Sequence, residues 1–110
     1  MKGDRRMDDK EIGIDELKNW KLTLEENKNK ILKELSEIKE CIIRYKIRRD
    51  VYLNLASTKK IIIQKPDEFE KENKEIKDRE ELETKMLKEL NKIDALLEQV
   101  TLHLNMLYGS

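Results

Sequence analysis

The residues able to do chemistry in this chain are few and ungrouped. His103 is its only histidine and Cys41 its only cysteine. A metal centre needs several nitrogen or sulfur donors, and one of each does not supply them. His103 lies between Leu102 and Leu104, a setting that suits a helix-surface residue. Cys41 stands beside Ile42 and reads as a half-buried, small apolar side chain rather than a nucleophile. A single thiol also excludes an internal disulfide framework. No glycine occurs from Ile14 to Tyr108, so no glycine-rich loop can cradle a phosphate. Carboxylates are plentiful, but they alternate with lysines in the manner of a solvated helix face. The expectation is a protein with no catalytic residues, no metal, no cofactor and no enzymatic activity.

One charge cluster remains, Arg44, Lys46, Arg48 and Arg49, followed by Lys59, Lys60 and Lys65. Lys+Arg and Asp+Glu balance at 24 each, which argues against nucleic acid as the main ligand, since phosphate binding needs a basic excess. An acidic protein partner, or plain solvation, suits the cluster better.

The elements that carry these residues follow from composition and period. Charged residues make up 44% of the chain and aromatics 5%, too little apolar matter for a thick globular core. Such a chain folds when its apolar residues are concentrated on a stripe, as in coiled coils. No apolar run is long enough to span a bilayer, and the N-terminus carries no signal-peptide core, so a soluble protein of the cytoplasm or nucleus is expected.

Residues Met1 to Gly13 are polar and read as a flexible tail. Asp15 can cap a helix predicted over 15–50. Leu17, Leu24, Ile31, Ile38, Tyr45 and Tyr52 recur every seven residues, with Lys21, Lys28, Leu35, Ile42 and Arg49 as the companion row of a heptad seam. Pro66 stops the preceding element, and Asp67 with Glu70 offers a capping box for a second helix over 67–108. Its rows are Phe69, Ile76, Glu83, Leu90, Leu97, Leu104 and Met86, Ile93, Val100, Leu107. Two long helices with a short connection form an antiparallel helical hairpin.

Between the helices the pattern changes. Val51 to Leu55 and Ile61 to Ile63 are short apolar runs around a small, polar and basic stretch. They read as a β-hairpin over 51–65, with the alternative that the first helix runs on to about Ser57 and a loop follows. Ile43 and Ile47 form a second apolar stripe, away from the seam. Beside the hairpin they suggest an oligomer contact, against ordinary scatter of exposed apolar residues. The expected fold class is mainly α: two long antiparallel coiled-coil helices joined by a short β-hairpin.

Helix, short hairpin and helix, with the hairpin opening on Val51-Tyr52, continuing through Ile61-Ile62-Ile63 and then a helix from Asp67 through Leu107, resembles the β-type subunit of prefoldin. The stretch Arg48-Arg49-Asp50-Val51-Tyr52 looks like the short prefoldin-like subunits of the PAQosome. The resemblance spans about Leu17 to Leu107, making 14–110 one prefoldin-like coiled coil; its specific part lies between Arg49 and Phe69. It implies an ATP-independent cochaperone subunit of a hetero-oligomer. In that family the subunits join their hairpins into a β-barrel body, and the tips of the helical pairs hold unfolded clients. The implied partners are other prefoldin or prefoldin-like subunits, unfolded proteins, and chaperonin or Hsp90 machinery. The implied oligomer interface is Ile43, Ile47, Val51, Tyr52, Leu53, Leu55, Ile61, Ile62 and Ile63. The client-binding tip would be Ile14, Leu17, Trp20, Leu104, Leu107 and Tyr108, which in the alternative simply close the end of the coiled coil. The other function class that fits is a structural coiled-coil adaptor or scaffold subunit without chaperone activity.

Overall fold

A computed structural model describes residues 8–57 and 66–109, almost all of them helical. Helix α1 spans Asp9–Ser57 and helix α2 spans Pro66–Gly109. Among the described residues there is no strand.

The start of α1 is earlier than the expected Asp15. Asp8 is the cap: its Oδ1 accepts a hydrogen bond from the Glu11 N–H at 2.7 Å, and its carbonyl accepts one from the Ile12 N–H at 3.0 Å. The first bond satisfies one of the orphan N–H groups of the first turn, and the second is the first hydrogen bond of the helix itself. The helix then passes through Gly13. A glycine inside a helix costs only about 1 kcal/mol relative to alanine. Gly13 also lies against α2, where a Cβ in its place would stand 3.4 Å from Leu107 Cδ1. The reading of 1–13 as a tail is therefore corrected from Asp9 onward, and Met1 to Met7 lie outside the described residues.

The far end of α1 differs too. Val51 to Ser57 are helical, so the first strand of the expected hairpin is not formed here, and the alternative of a helix running on to Ser57 describes this segment. Only Val51 among Val51 to Leu55 is β-branched, and the two leucines are good helix formers. Tyr52, on the heptad row, and Leu55 are both half-buried, so helical packing outweighs strand preference. Residues 58–65, with the expected second strand Ile61–Ile63, lie outside the described residues. Helix α2 opens with Pro66 at its first position, where the fixed φ suits a helix and the missing N–H costs nothing.

Contacts divide the chain into two units. The first joins the part of α1 up to Ile31 with α2 from Glu89 onward. Its core is Leu24, Ile93, Val100 and Leu104, with Ile14, Leu17, Ile31, Leu96 and Leu97 against it. Val100 is the most enclosed, 2% exposed. Rising numbers on α1 meet falling numbers on α2, from Gly13 beside Leu107 to Lys28 Nζ 2.8 Å from Asp94 Oδ1, so the helices are antiparallel within this unit.

The second unit is Leu32–Lys88. Leu35, Ile42 and Ile76 are its buried apolar residues. Arg79 crosses to α1, its guanidinium 4.8 Å from the Tyr45 ring centre, while it donates to Glu75 one helical turn back. In both units the heptad rows read from sequence are the enclosed ones. Each described member, from Leu17 to Tyr52 on α1 and from Ile76 to Leu107 on α2, is buried or half-buried, Lys21, Lys28, Arg49 and Glu83 included.

Candidate functional site: exposed apolar surfaces

His103 belongs to the first unit and Cys41 to the second. His103 is exposed, with Nδ1 2.9 Å from the Gln99 carbonyl of its own helix. Cys41 is half-buried and lines a groove of about 530 Å³ in the second unit, with Glu34, Ile38, Arg79, Leu82 and Met86. Among the described residues no three His, Cys, Asp or Glu side chains are grouped to hold a metal ion. No helix among them is long and apolar enough to cross a membrane.

What the structure does present is apolar surface in contact with solvent, and besides the scattered Leu32, Leu82 and Leu87 it gathers in two places among the described residues. The first is at the end of the first unit, where α1 begins and α2 finishes. The six residues expected at a client-binding tip divide there. Leu104 is core and so is not available for contact in this state. Ile14 and Leu17 are half-buried against that core, and Leu107 is half-buried beside Gly13. Trp20 and Tyr108 are open, 42% and 55% exposed. Ile12, Leu22, Leu102 and Met106, which heptad reading passes over because they lie off the seam, are exposed on the same unit. A hollow of about 460 Å³ adjoins Tyr108, lined also by Lys21, Leu22, Thr101 and Asn105. Lys18 Nζ stands 5.5 Å from the Tyr108 ring centre. A hydrogen bond with Tyr108, then its charge, holds the Lys18 ammonium above the usual lysine value. An exposed aromatic with a cation at its edge combines apolar contact area with a polar handle.

The second place is the outer face of α1 in the second unit. Ile43 and Ile47 are each 58% exposed and Val51 is 54% exposed. They follow one another at four-residue spacing and so form one ridge. Leu53 is exposed as well, Tyr52 and Leu55 are half-buried, and Ile61, Ile62 and Ile63 lie outside the described residues. The basic residues follow this ridge. Arg44 pairs with Glu40, Arg49 Nε lies 3.8 Å from Asp50 Oδ1, and the Arg48 guanidinium is 5.6 Å from the Tyr45 ring centre.

Compared with family models, with characterised proteins and with solved structures, the chain matches none. Its function must therefore be read from these surfaces and from its own sequence.

The Tyr45–Arg79–Glu75 arrangement was missed in the sequence. The hydrogen bond with Glu75 is the main reason that Arg79 is held above the usual arginine value. Its signal was available: counting back by sevens from Met86 gives Arg79 and Glu72, charged members of an otherwise apolar row. Glu72 is half-buried, and its Oε2 is shielded from solvent with no hydrogen-bond partner among the described residues.

Proposed function

We propose that this chain is a prefoldin-like cochaperone subunit, a non-catalytic coiled-coil component of a hetero-oligomer that holds unfolded chains without ATP. The observation that carries the reading is the pair of exposed aromatics on the first unit, Trp20 about three turns into α1 and Tyr108 in the last turn of α2. Aromatic rings left in water are costly, and rigid, amphipathic rings suit adaptable contact with many sequences. The sequence resemblance between Arg49 and Phe69 supports the same reading. In it, the hairpin forms on assembly: Val51 to Leu55, helical in the chain alone, exchange helix for strand when partner strands are present to pair with. An isolated hairpin is marginal in water, and strands of this length need neighbours.

A second reading is favoured by one observation. The unbroken helix from Asp9 to Ser57 suits a structural adaptor or scaffold subunit, which needs helical faces and no strands.

The test is suppression of aggregation of a chemically unfolded client such as actin, by the assembled complex. Replacing Trp20 and Tyr108 with Ser is expected to abolish suppression while circular dichroism and native mass stay unchanged. Undiminished suppression by that variant sinks the proposed tip. A complex of intact mass that never suppresses aggregation, even with the unaltered chain, favours the adaptor.

A further inference from the structure

We propose that the outer face of α1 over residues 43–51 docks an acidic amphipathic helix from a different chain. The inference rests on the second reading, the adaptor subunit, in which α1 stays helical through Val51, and names the kind of partner that one of its surfaces takes.

Shape comes first. Ile43, Ile47 and Val51 lie at i, i+4 and i+8, all more than half exposed. Such a row is one of the two ridges by which helices interlock, and a second helix whose own four-residue ridges fit the grooves beside it crosses at about 50°. A strand would need free edge hydrogen-bonding groups, and the backbone of this stretch is engaged in the helix. A crossing helix needs only the side-chain ridge.

Charge then selects the partner. From Cys41 to Arg49 the chain has no acidic residue, while Arg44, Lys46, Arg48 and Arg49 are basic. Glu40 and Asp50, at the two edges, pair with Arg44 and Arg49. Lys46 and Arg48 leave a positive surplus beside the ridge. An occupant with Glu or Asp flanking its apolar row gains attraction on approach and in place; one with Lys or Arg there is repelled.

A second copy of this chain fits poorly. Ridge against ridge would bring Arg44 and Arg48 of both copies together. Among the described residues, Leu82 and Leu87, exposed on α2 within this unit, are five apart and hence not one ridge, and the other exposed pair at four-residue spacing, Leu102 and Met106, is flanked by Thr101, His103 and Asn105, none of them acidic. The occupant is therefore another protein.

The probe is a synthetic helical peptide with Leu at four-residue spacing and Glu beside the leucines, compared with the same peptide carrying Lys for Glu. Both are titrated into the full chain and followed by backbone amide chemical shifts. The Glu peptide is expected to bind saturably, with shifts centred on residues 43–51 and affinity falling as salt rises. Ile47→Ser should weaken it about tenfold, the loss expected for one apolar side chain removed from a contact. The variant Arg44→Glu with Arg48→Glu removes no apolar side chain and should exchange the preference to the Lys peptide. Equal binding of both peptides overturns the proposal, as do shifts centred elsewhere or no binding at millimolar Glu peptide. So does self-association of the chain that Ile47→Ser abolishes, since a second copy is then the occupant. Stronger binding to phosphatidylserine vesicles than to the Glu peptide, lost in Ile47→Ser, makes the face a lipid contact and overturns it too. None of these readouts involves Trp20 or Tyr108, so failure here leaves the client-holding test untouched.

Discussion

Leu104 and Ile47 are residues of similar size with opposite fates. Leu104 closes the core of the first unit beside Leu24 and Val100, whereas Ile47 stands in water. Truncating a buried leucine removes its transfer free energy and leaves a cavity, typically about 2–5 kcal/mol. Leu104→Ala is therefore expected to lower unfolding stability by about 2–3 kcal/mol, the lower end because so slender a core can collapse around the gap. Ile47→Ala should stay within about 0.5 kcal/mol, as exposed substitutions do. Urea unfolding of both variants checks this, and equal losses would show that Ile47 is covered in the free chain. The fates of these two residues were partly legible. The seven-residue row through Leu97 and Leu104 placed Leu104 on the seam, and the four-residue pair with Ile43 placed Ile47 off it. The placement of Leu104 at a client tip came from the distal end of an antiparallel hairpin, with closure of the coiled coil as the alternative, and its burial is what the seam row describes. Arg79, although on the seven-residue row, was passed over for another reason. A heptad search weighs apolar residues, and a guanidinium stacked on Tyr45 carries its apolar contact in a plane that hydropathy does not register.

At the scale of the element, Gly13 decides where α1 begins. The polar character of Met1 to Gly13 suggested a tail, and Asp15 offered a cap, so the expected start fell at Asp15. The structure instead uses Asp8 and Glu11, spaced as in a capping box, and runs the helix through the glycine. Glycine there keeps a backbone entropy cost that alanine would not carry. A Cβ would meet Leu107 Cδ1 at 3.4 Å, an ordinary contact, so nothing steric opposes the change. Gly13→Ala is expected to stabilise the chain by about 0.5–1 kcal/mol, read as a higher thermal midpoint with unchanged spectra. A lower midpoint would mean that the first two turns of α1 are not helical in solution. The end of α1 turned on a closer balance. Short apolar runs such as Val51 to Leu55 do not distinguish strand from helix by period, and here Tyr52 and Leu55 are half-buried on a continued helix. The start of α2 was legible to within one residue, because proline leaves little choice.

Across the whole molecule, the two units are built to different standards. The first has a cluster of four buried apolar residues with five more against it. In the second, Leu35, Ile42 and Ile76 share the enclosed rows with Arg49, Glu72, Arg79 and Glu83, and one Glu72 oxygen is shielded without a partner among the described residues. Shielding a polar group without a hydrogen bond costs about 1–3 kcal/mol, and each charged seam position forgoes apolar burial. Local stability follows apolar contact density, so the units should open at different free energies. Native-state hydrogen exchange at neutral pH is expected to leave amides in 20–31 and 93–104 protected longest. Those in 49–57 and 70–76 should exchange at least tenfold faster. Uniform protection along both helices would show that the molecule unfolds as one cooperative body and that the charged seam is fully compensated. The graded result bears directly on function. A segment that opens easily has a low barrier to trading helix for strand, because little native contact is lost on the way. On assembly with partner subunits, 51–57 should then become slow to exchange while the chain loses helical ellipticity; protection gained with ellipticity unchanged would mean that the segment docks as helix, as an adaptor requires.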